Sequence, residues 1–223
     1  MTVLYATPDK KVEINKSEVL RYLGYGRKAV DARVLALLDE TIAEFESFAS
    51  YKACYLQTDI KVEPGKVDFG AFNVQSRSLS KVLAGCGEAV LFAATAGSKV
   101  DVEWSRQVLQ SPAKAVILDA AATAAIESWC DELCDRFEKD LQSGGLFMRP
   151  RFSPGYGDVP LEMQRPLLEM LDAGRKVGIT LTNALLMTPK KSVSAIVGFS
   201  EAGCEIKGAK CELCQKANCL FRL

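Results

Sequence analysis

The sequence predicts an α+β fold built on a twisted, dominantly antiparallel sheet flanked by helices. Three observations carry this. A turn signal, Glu63-Pro64-Gly65-Lys66, separates two runs rich in β-formers and reads as an antiparallel hairpin. A long helical pattern runs from Ser111 towards Leu141, and a single continuous apolar run, Glu88 to Thr95, reads as a buried strand. The regular strand–helix alternation of a parallel sheet is missing.

In chain order, Asn15 with Glu18 three residues later resembles a capping box opening a short helix that closes at Leu23-Gly24. A second helix begins near Asp31, because Val34, Leu35, Leu38, Ile42, Phe45 and Ala49 recur at helical spacing as one buried stripe. Residues 52–62 and 67–74 form the two sides of the hairpin, and Ser78 to Ala84 suits a short helix. The run from Glu88 to Thr95 delivers the chain through Ala96-Gly97 to a helix capped by Ser98, a place where strand ends often carry ligand. Ser111 as N-cap with Pro112 in the first turn starts the longest element, which stops at Gly144-Gly145. Beyond Leu146, four prolines punctuate a loop and a broken helix before a last strand over 193–199. Residues 1–200 read as one domain, with a helical and hairpin part over 1–110 and a motif-bearing part over 111–200. Residues 201–223 read as a cysteine-rich tail.

Composition narrows the function. Twenty-eight basic residues balance 28 acidic ones, so no overall positive field draws the chain to nucleic acid or an anionic membrane. The longest apolar stretches fall short of the roughly 18 residues of a membrane span, and no secretory pattern opens the chain, which points to the cytoplasm. In that compartment the eight cysteines are thiols or metal ligands rather than a disulfide framework. Histidine is absent, which removes the commonest general base and every Ser-His-Asp or Cys-His arrangement.

The cysteines are unevenly spread. Cys130 and Cys134 share a helix face with Ile126 and Phe137 and read as small buried hydrophobes. Cys204, Cys211, Cys214 and Cys219 crowd the tail in the pattern C-x6-C-x2-C-x4-C, four thiolates able to hold zinc or an iron–sulfur cluster. An unliganded thiol-rich tail is the competing reading.

The loop Arg149-Pro-Arg-Phe-Ser-Pro-Gly-Tyr-Gly-Asp-Val-Pro160 sets two guanidinium groups, two small turn residues and one phenol in a proline-stiffened segment. Arginine can grip a carboxylate through two parallel hydrogen bonds, and glycine lets a backbone come close to a ligand. A structural turn with solvated arginines is the plainer alternative.

Arg151-Phe-Ser-Pro-Gly-Tyr156 resembles the Arg-x-x-Pro-Gly-Tyr signature of the activation domain of cobalamin-dependent methionine synthase. Gly178-Ile-Thr-Leu-Thr182, Met187-x-Pro189 and Ser192-Val-Ser194 follow in that family's order, and Glu127 matches a family acidic position. The resemblance is dense from about 120 to 199. Earlier it rests on Leu20-Arg-Tyr-Leu-Gly-Tyr25, typical of short free-standing relatives. It implies an activation-domain-like fold over 1–200 that binds S-adenosylmethionine and supports reductive methylation of a corrinoid. Arg151 would clamp the ligand's carboxylate, Ser153 and Gly155 would offer backbone contacts, Glu127 would belong to the ligand site, and Tyr156 would act near the sulfonium. The chain departs from the family at Gly157-Asp158-Val159-Pro160, where the synthase has a Pro-Ala-Cys-Pro run.

With no histidine to offer cobalt and no room for a corrinoid module, the cobalamin is expected on a separate protein, a methionine synthase lacking its own activation domain or a related corrinoid protein. A reductant protein is a further expected partner, and a tail iron–sulfur centre could pass electrons. Two other readings compete: another S-adenosylmethionine-dependent methyltransferase, and a metal- or redox-sensing module built on the tail. The first is weak, since Gly85-Cys-Gly87 precedes the apolar strand instead of following it.

Overall fold

The computed structural model describes residues 2–26, 28–142 and 145–201. The tail cysteines Cys204, Cys211, Cys214 and Cys219 lie outside them. Ten strands and seven α-helices are described: β1 Leu4–Ala6, α1 Lys16–Tyr22, α2 Ala32–Phe48, β2 Lys52–Asp59, β3 Lys61–Glu63, β4 Lys66–Asp68, β5 Asn73–Gln75, α3 Arg77–Val82, β6 Glu88–Thr95, α4 Lys99–Gln110, α5 Pro112–Gln142, β7 Phe147–Met148, α6 Gln164–Met170, α7 Ala173–Val177, β8 Thr180–Leu181, β9 Met187–Thr188 and β10 Ser192–Ser200.

The main sheet has the order β1-β2-β6-β10-β7, and all its pairings are antiparallel, as the α+β reading requires. Helices and a small sheet cover it on both faces, which explains the unbroken apolar run of β6. Cys54, Leu56, Leu91, Ala93 and Ile196 point to one side, against α3, α6, α7 and the small sheet. Ala53, Val90, Phe92, Ala94, Ala195 and Val197 point to the other, against Ile126, Trp129, Cys130, Leu133, Cys134 and Phe137 of α5. The period of two along the strands sorts these residues between the two cores. Cys130 and Cys134 are buried thiols, as their helix face predicts.

The other half of α5 serves a different purpose. Its alanines, among them Ala120, Ala121, Ala122, Ala124 and Ala125, let α1, α2 and α4 approach closely around Val19, Leu38, Phe45 and Val100. One helix thus supports the sheet with its second half and a helical layer with its first.

Several expectations shift in detail. The β-rich run over 52–62 splits at Ile60: β2 joins the main sheet, while β3 pairs β4 around Gly65, whose φ of +81° suits glycine, and β5 extends that pair to three strands. Asn15 Oδ1 accepts from the N–H groups of Ser17 and Glu18 at 2.9 and 3.3 Å, but the Glu18 carboxylate is engaged by Arg21. Leu35 is 40% exposed, so it falls outside the α2 stripe. Ser98 makes no side-chain cap bond. The turn after β6 is packed shut: Ser50 N–H bonds the Ala96 carbonyl, Ala96 N–H bonds that of Lys191, and a side chain at Gly97 would meet Ser50 O at 3.0 Å.

Candidate functional site

The two arginines of the proline-rich loop part company. Met148 pairs with Phe199 but Phe152 pairs with Ile196, so four steps on one strand face three on the other. This one-residue bulge at the sheet edge re-aims the side chains around Pro150. Arg149 turns towards α3, where Nη2 donates to the Ala84 carbonyl at 3.0 Å, and it acts as a structural clamp. Arg151 turns to the opposite face and reaches α5.

There Arg151 Nη2 lies 2.7 Å from Glu127 Oε2 and 3.0 Å from Asp131 Oδ1. The two carboxylates sit four residues apart on α5 and therefore share a face. The Arg151 side chain is only 7% exposed, against 37% for Glu127 and 66% for Asp131. Its Nη1 is buried with no hydrogen-bond partner. A buried guanidinium nitrogen left unpaired is costly, and a ligand acceptor arriving there would remove the cost. Burial works against the charge of Arg151, yet the groups around it, Cys130, Glu127, Cys134 and Asp131, outweigh burial and hold its pKa above the ordinary value. Burial also pushes the Cys130 thiol up.

Residues 153–159 fold into a double turn, with Tyr156 N–H on Ser153 O, Gly155 N–H on Val159 O and Val159 N–H on Tyr156 O at 3.0–3.2 Å. Pro154 is buried beneath it, and Ser153 is half-buried. Gly155 (φ +87°) shapes the turn, and Tyr156 stands at its tip, 68% exposed. The expected site residues thus fall into two groups: Arg151 with Glu127 in direct contact, and Ser153, Gly155 and Tyr156 on the adjoining turn.

The departure at Gly157-Asp158 has a structural meaning that sequence reasoning missed. The Asp158 carboxylate accepts from the Ser76 hydroxyl and from the N–H groups of Arg77 (2.8 Å) and Ser78 (3.1 Å), capping α3 from across the chain. Gly157 fits closely, since a Cβ there would fall 2.8 Å from Ser78 Oγ. These bonds, led by the Ser76 hydroxyl, hold the Asp158 carboxyl well below its ordinary value of 3.8. Stabilisation of this kind is complete above the unfolded pKa and is lost as the pH falls towards the folded one. Asp158→Asn should therefore cost about 1 kcal/mol near neutral pH, the size of a lost helix cap at an exposed position. Urea denaturation should show the gap between wild type and variant narrowing at about pH 3; a gap unchanged by pH would contradict this role.

Beside these groups a cavity of about 510 Å³ opens between α1, α4 and α5, lined by Tyr22, Leu23, Trp104, Val116, Asp119 and Thr123 among others. Thr123 precedes Glu127 by one helical turn, and the Tyr22 phenol, raised in pKa by burial, also feels Glu127. Lys191 bonds Asp119 at 2.7 Å and Thr123 at 2.9 Å, and the Lys190 ammonium sits 4.4 Å above the Trp104 ring. These residues come from elements distant in sequence, and no local motif announces the cavity.

A loop turned by an edge-strand bulge onto a paired helix face thus sits at the edge of an antiparallel α+β domain. Residues 130–212 match the family described as vitamin B12 dependent methionine synthase, activation domain. The fold is similar to that of the crystal structure of the MetH reactivation domain bound to AdoHcy, with a TM-score of 0.65 at 13% identity over 89% of this chain and 78% of that one. No curated protein matches the sequence. The segment carrying the Arg151–Tyr156 signature thus falls within the family match, and the fold around it is similar to that of the MetH reactivation domain. The match continues past Ser200 into the cysteine-bearing segment, across the boundary drawn at 200/201.

Proposed function

We propose that this chain binds S-adenosylmethionine and presents its methyl group to a corrinoid carried by another protein, restoring the methylated cofactor after oxidation. The observation that carries the reading is Arg151: buried, fixed by two carboxylates, with Nη1 unpaired inside the signature loop. The ligand carboxylate would take Nη1, and the backbone of Ser153 and Gly155 would line the ligand. Tyr156, exposed at the tip, would meet a partner's cofactor beside the sulfonium. The partner's reduced cobalt supplies the nucleophile, the methyl–sulfur bond breaking with its electron pair left on sulfur. What remains for this chain is orientation and exclusion of water, which need no general base.

The fitting partner is a cytoplasmic methionine synthase or related corrinoid protein without its own activation domain, with a reductant completing the system. Among the described residues no group of three or more metal-ligating side chains is assembled, and no helix is long and apolar enough to cross a membrane. Isothermal titration with S-adenosylmethionine tests the reading. Saturable binding near one ligand per chain supports it, and no heat change at millimolar ligand refutes it.

The tail is a separable part of this proposal. Cys204, Cys211, Cys214 and Cys219 are proposed to hold one iron–sulfur cluster or zinc ion. Protein prepared without oxygen should then contain one such centre, brown and bleaching on reduction for iron–sulfur or colourless for zinc. A chain ending at Glu201 should lose the metal while keeping the fold and the ligand. Metal-free native protein would sink the ligand role, and a truncated chain that fails to fold would show that the domain extends beyond 201.

A further inference from the structure

The signature loop is tied to the two ends of one short helix. At the start of the loop, the Arg149 N–H bonds the Gly198 carbonyl of β10 at 2.8 Å, and the Arg149 side chain crosses to the Ala84 carbonyl just beyond α3 at 3.0 Å. At its end, the Asp158 carboxylate accepts from the Ser76 hydroxyl and from the N–H groups of Arg77 and Ser78, where α3 begins. The helix between these ties rises about 9 Å along its axis, and Leu79 and Leu83 fix it in the core with no exposed surface. It is a strut with a carboxylate at its N-terminal end and a guanidinium at its C-terminal end, the order that suits the helix polarity.

The two halves of the loop are held differently. Phe152 pairs with Ile196 through bonds of 2.9 and 2.7 Å, and Arg151 beside it is gripped from α5 by Glu127 and Asp131. Beyond Phe152 the chain leaves the sheet, and residues 153–159 bond among themselves. Such bonds fix the shape of the turn but not its place. Burial of Pro154 and Val159 adds adhesion without direction. Direction comes from the bonds of Asp158 to α3 and from Gly157, packed so closely on Ser78 that a Cβ would fall 2.8 Å from Oγ.

Resting on the reading of this loop as the S-adenosylmethionine site, we propose that Asp158 is a positioning residue, which holds the turn bearing Ser153, Gly155 and Tyr156 in register with Arg151 before any ligand arrives. Its carboxylate is occupied by α3, so it acts on the ligand through the turn. Without it the turn samples other placements, and the measured affinity falls with the fraction still correctly placed. The Gly157-Asp158 pair, where this chain departs from the synthase run, is the device that anchors the turn.

The test is isothermal titration of the full chain with S-adenosylmethionine, at a temperature where every variant is folded by circular dichroism. Asp158→Asn should bind about two- to fivefold more weakly, the factor by which losing one helix-cap interaction shifts a local equilibrium. Ser76→Ala, a change in the cap of α3 rather than in the loop, should act in the same direction. Ile42→Val, in the core between α2 and α5, removes a comparable amount of stability and should leave the affinity unchanged. Hydrogen exchange supplies the readout that a general loss of stability would not move: in Asp158→Asn the amides of Gly155, Tyr156 and Val159 should exchange faster while those of β6 and β10 keep their protection. If Asp158→Asn binds as the wild type does, or Ile42→Val weakens binding as much, Asp158 is a helix cap alone, and the proposal is wrong while the ligand reading stands. If the wild type does not bind S-adenosylmethionine, the underlying reading fails and this inference with it.

Discussion

Arg151→Ala should weaken S-adenosylmethionine binding by about ten- to a hundredfold, corresponding to the roughly 1.5–3 kcal/mol of a charge-assisted hydrogen bond. The effect is large because the guanidinium is held ready: a bulge turns it onto α5, and Glu127 and Asp131 fix it before any ligand arrives. The fold should survive the change, since the carboxylates left behind are 37% and 66% exposed and can be solvated. Titration calorimetry beside a thermal melt separates the two effects. Unchanged affinity in a folded variant would remove Arg151 from the site and return the loop to its plainer reading as a structural turn.

Trp129→Ala should be the most damaging single substitution in the support beneath the site, costing about 3–5 kcal/mol. Trp129 is fully buried between α5 and the main sheet, with its Nε1 3.5 Å from the Lys52 carbonyl and the Arg136 guanidinium 5.1 Å from its ring. It lies between Glu127 and Asp131 in sequence but faces the core, so it fixes the helix that presents both carboxylates. Against a total stability of about 5–15 kcal/mol such a loss leaves a marginal protein, with a melting point lowered by roughly 6–20 °C. A cost below about 1 kcal/mol, measured by denaturant titration, would mean that α5 is held chiefly by its alanine-rich half.

The elements written in local chemistry were the legible ones. Ser111-Pro112 marked the start of α5, Pro64-Gly65 marked the β3–β4 turn, and the apolar run marked β6 within a residue of its observed ends. The site was legible only in part. The signature named Arg151, and the family position named Glu127, which the structure brings within 2.7 Å of each other. Asp131 was not legible, because an acidic residue on an exposed helix face is ordinary until an arginine from another element lands on it.

Long-range features were hidden for the same physical reason. β7 is two residues long and carries no periodicity, and the bulge that separates Arg149 from Arg151 exists only relative to β10. The bond from Asp158 to the start of α3 spans about 80 residues of chain, a distance no local pattern records. The expected cap at Ser98 failed in the opposite way, a sound local signal overridden where the chain is packed against Ser50 and Lys191.

The central claim, methyl delivery to a corrinoid held elsewhere, is tested most directly by one transfer measurement. An oxidised corrinoid module of a methionine synthase, stripped of its own activation domain, is mixed with a one-electron reductant and S-adenosylmethionine labelled in the methyl group. Label should reach the corrinoid when this chain is added, and fall to background when Arg151→Ala replaces it. Transfer that proceeds at the same rate without the chain, or with the variant as fast as with the wild type, would contradict the account.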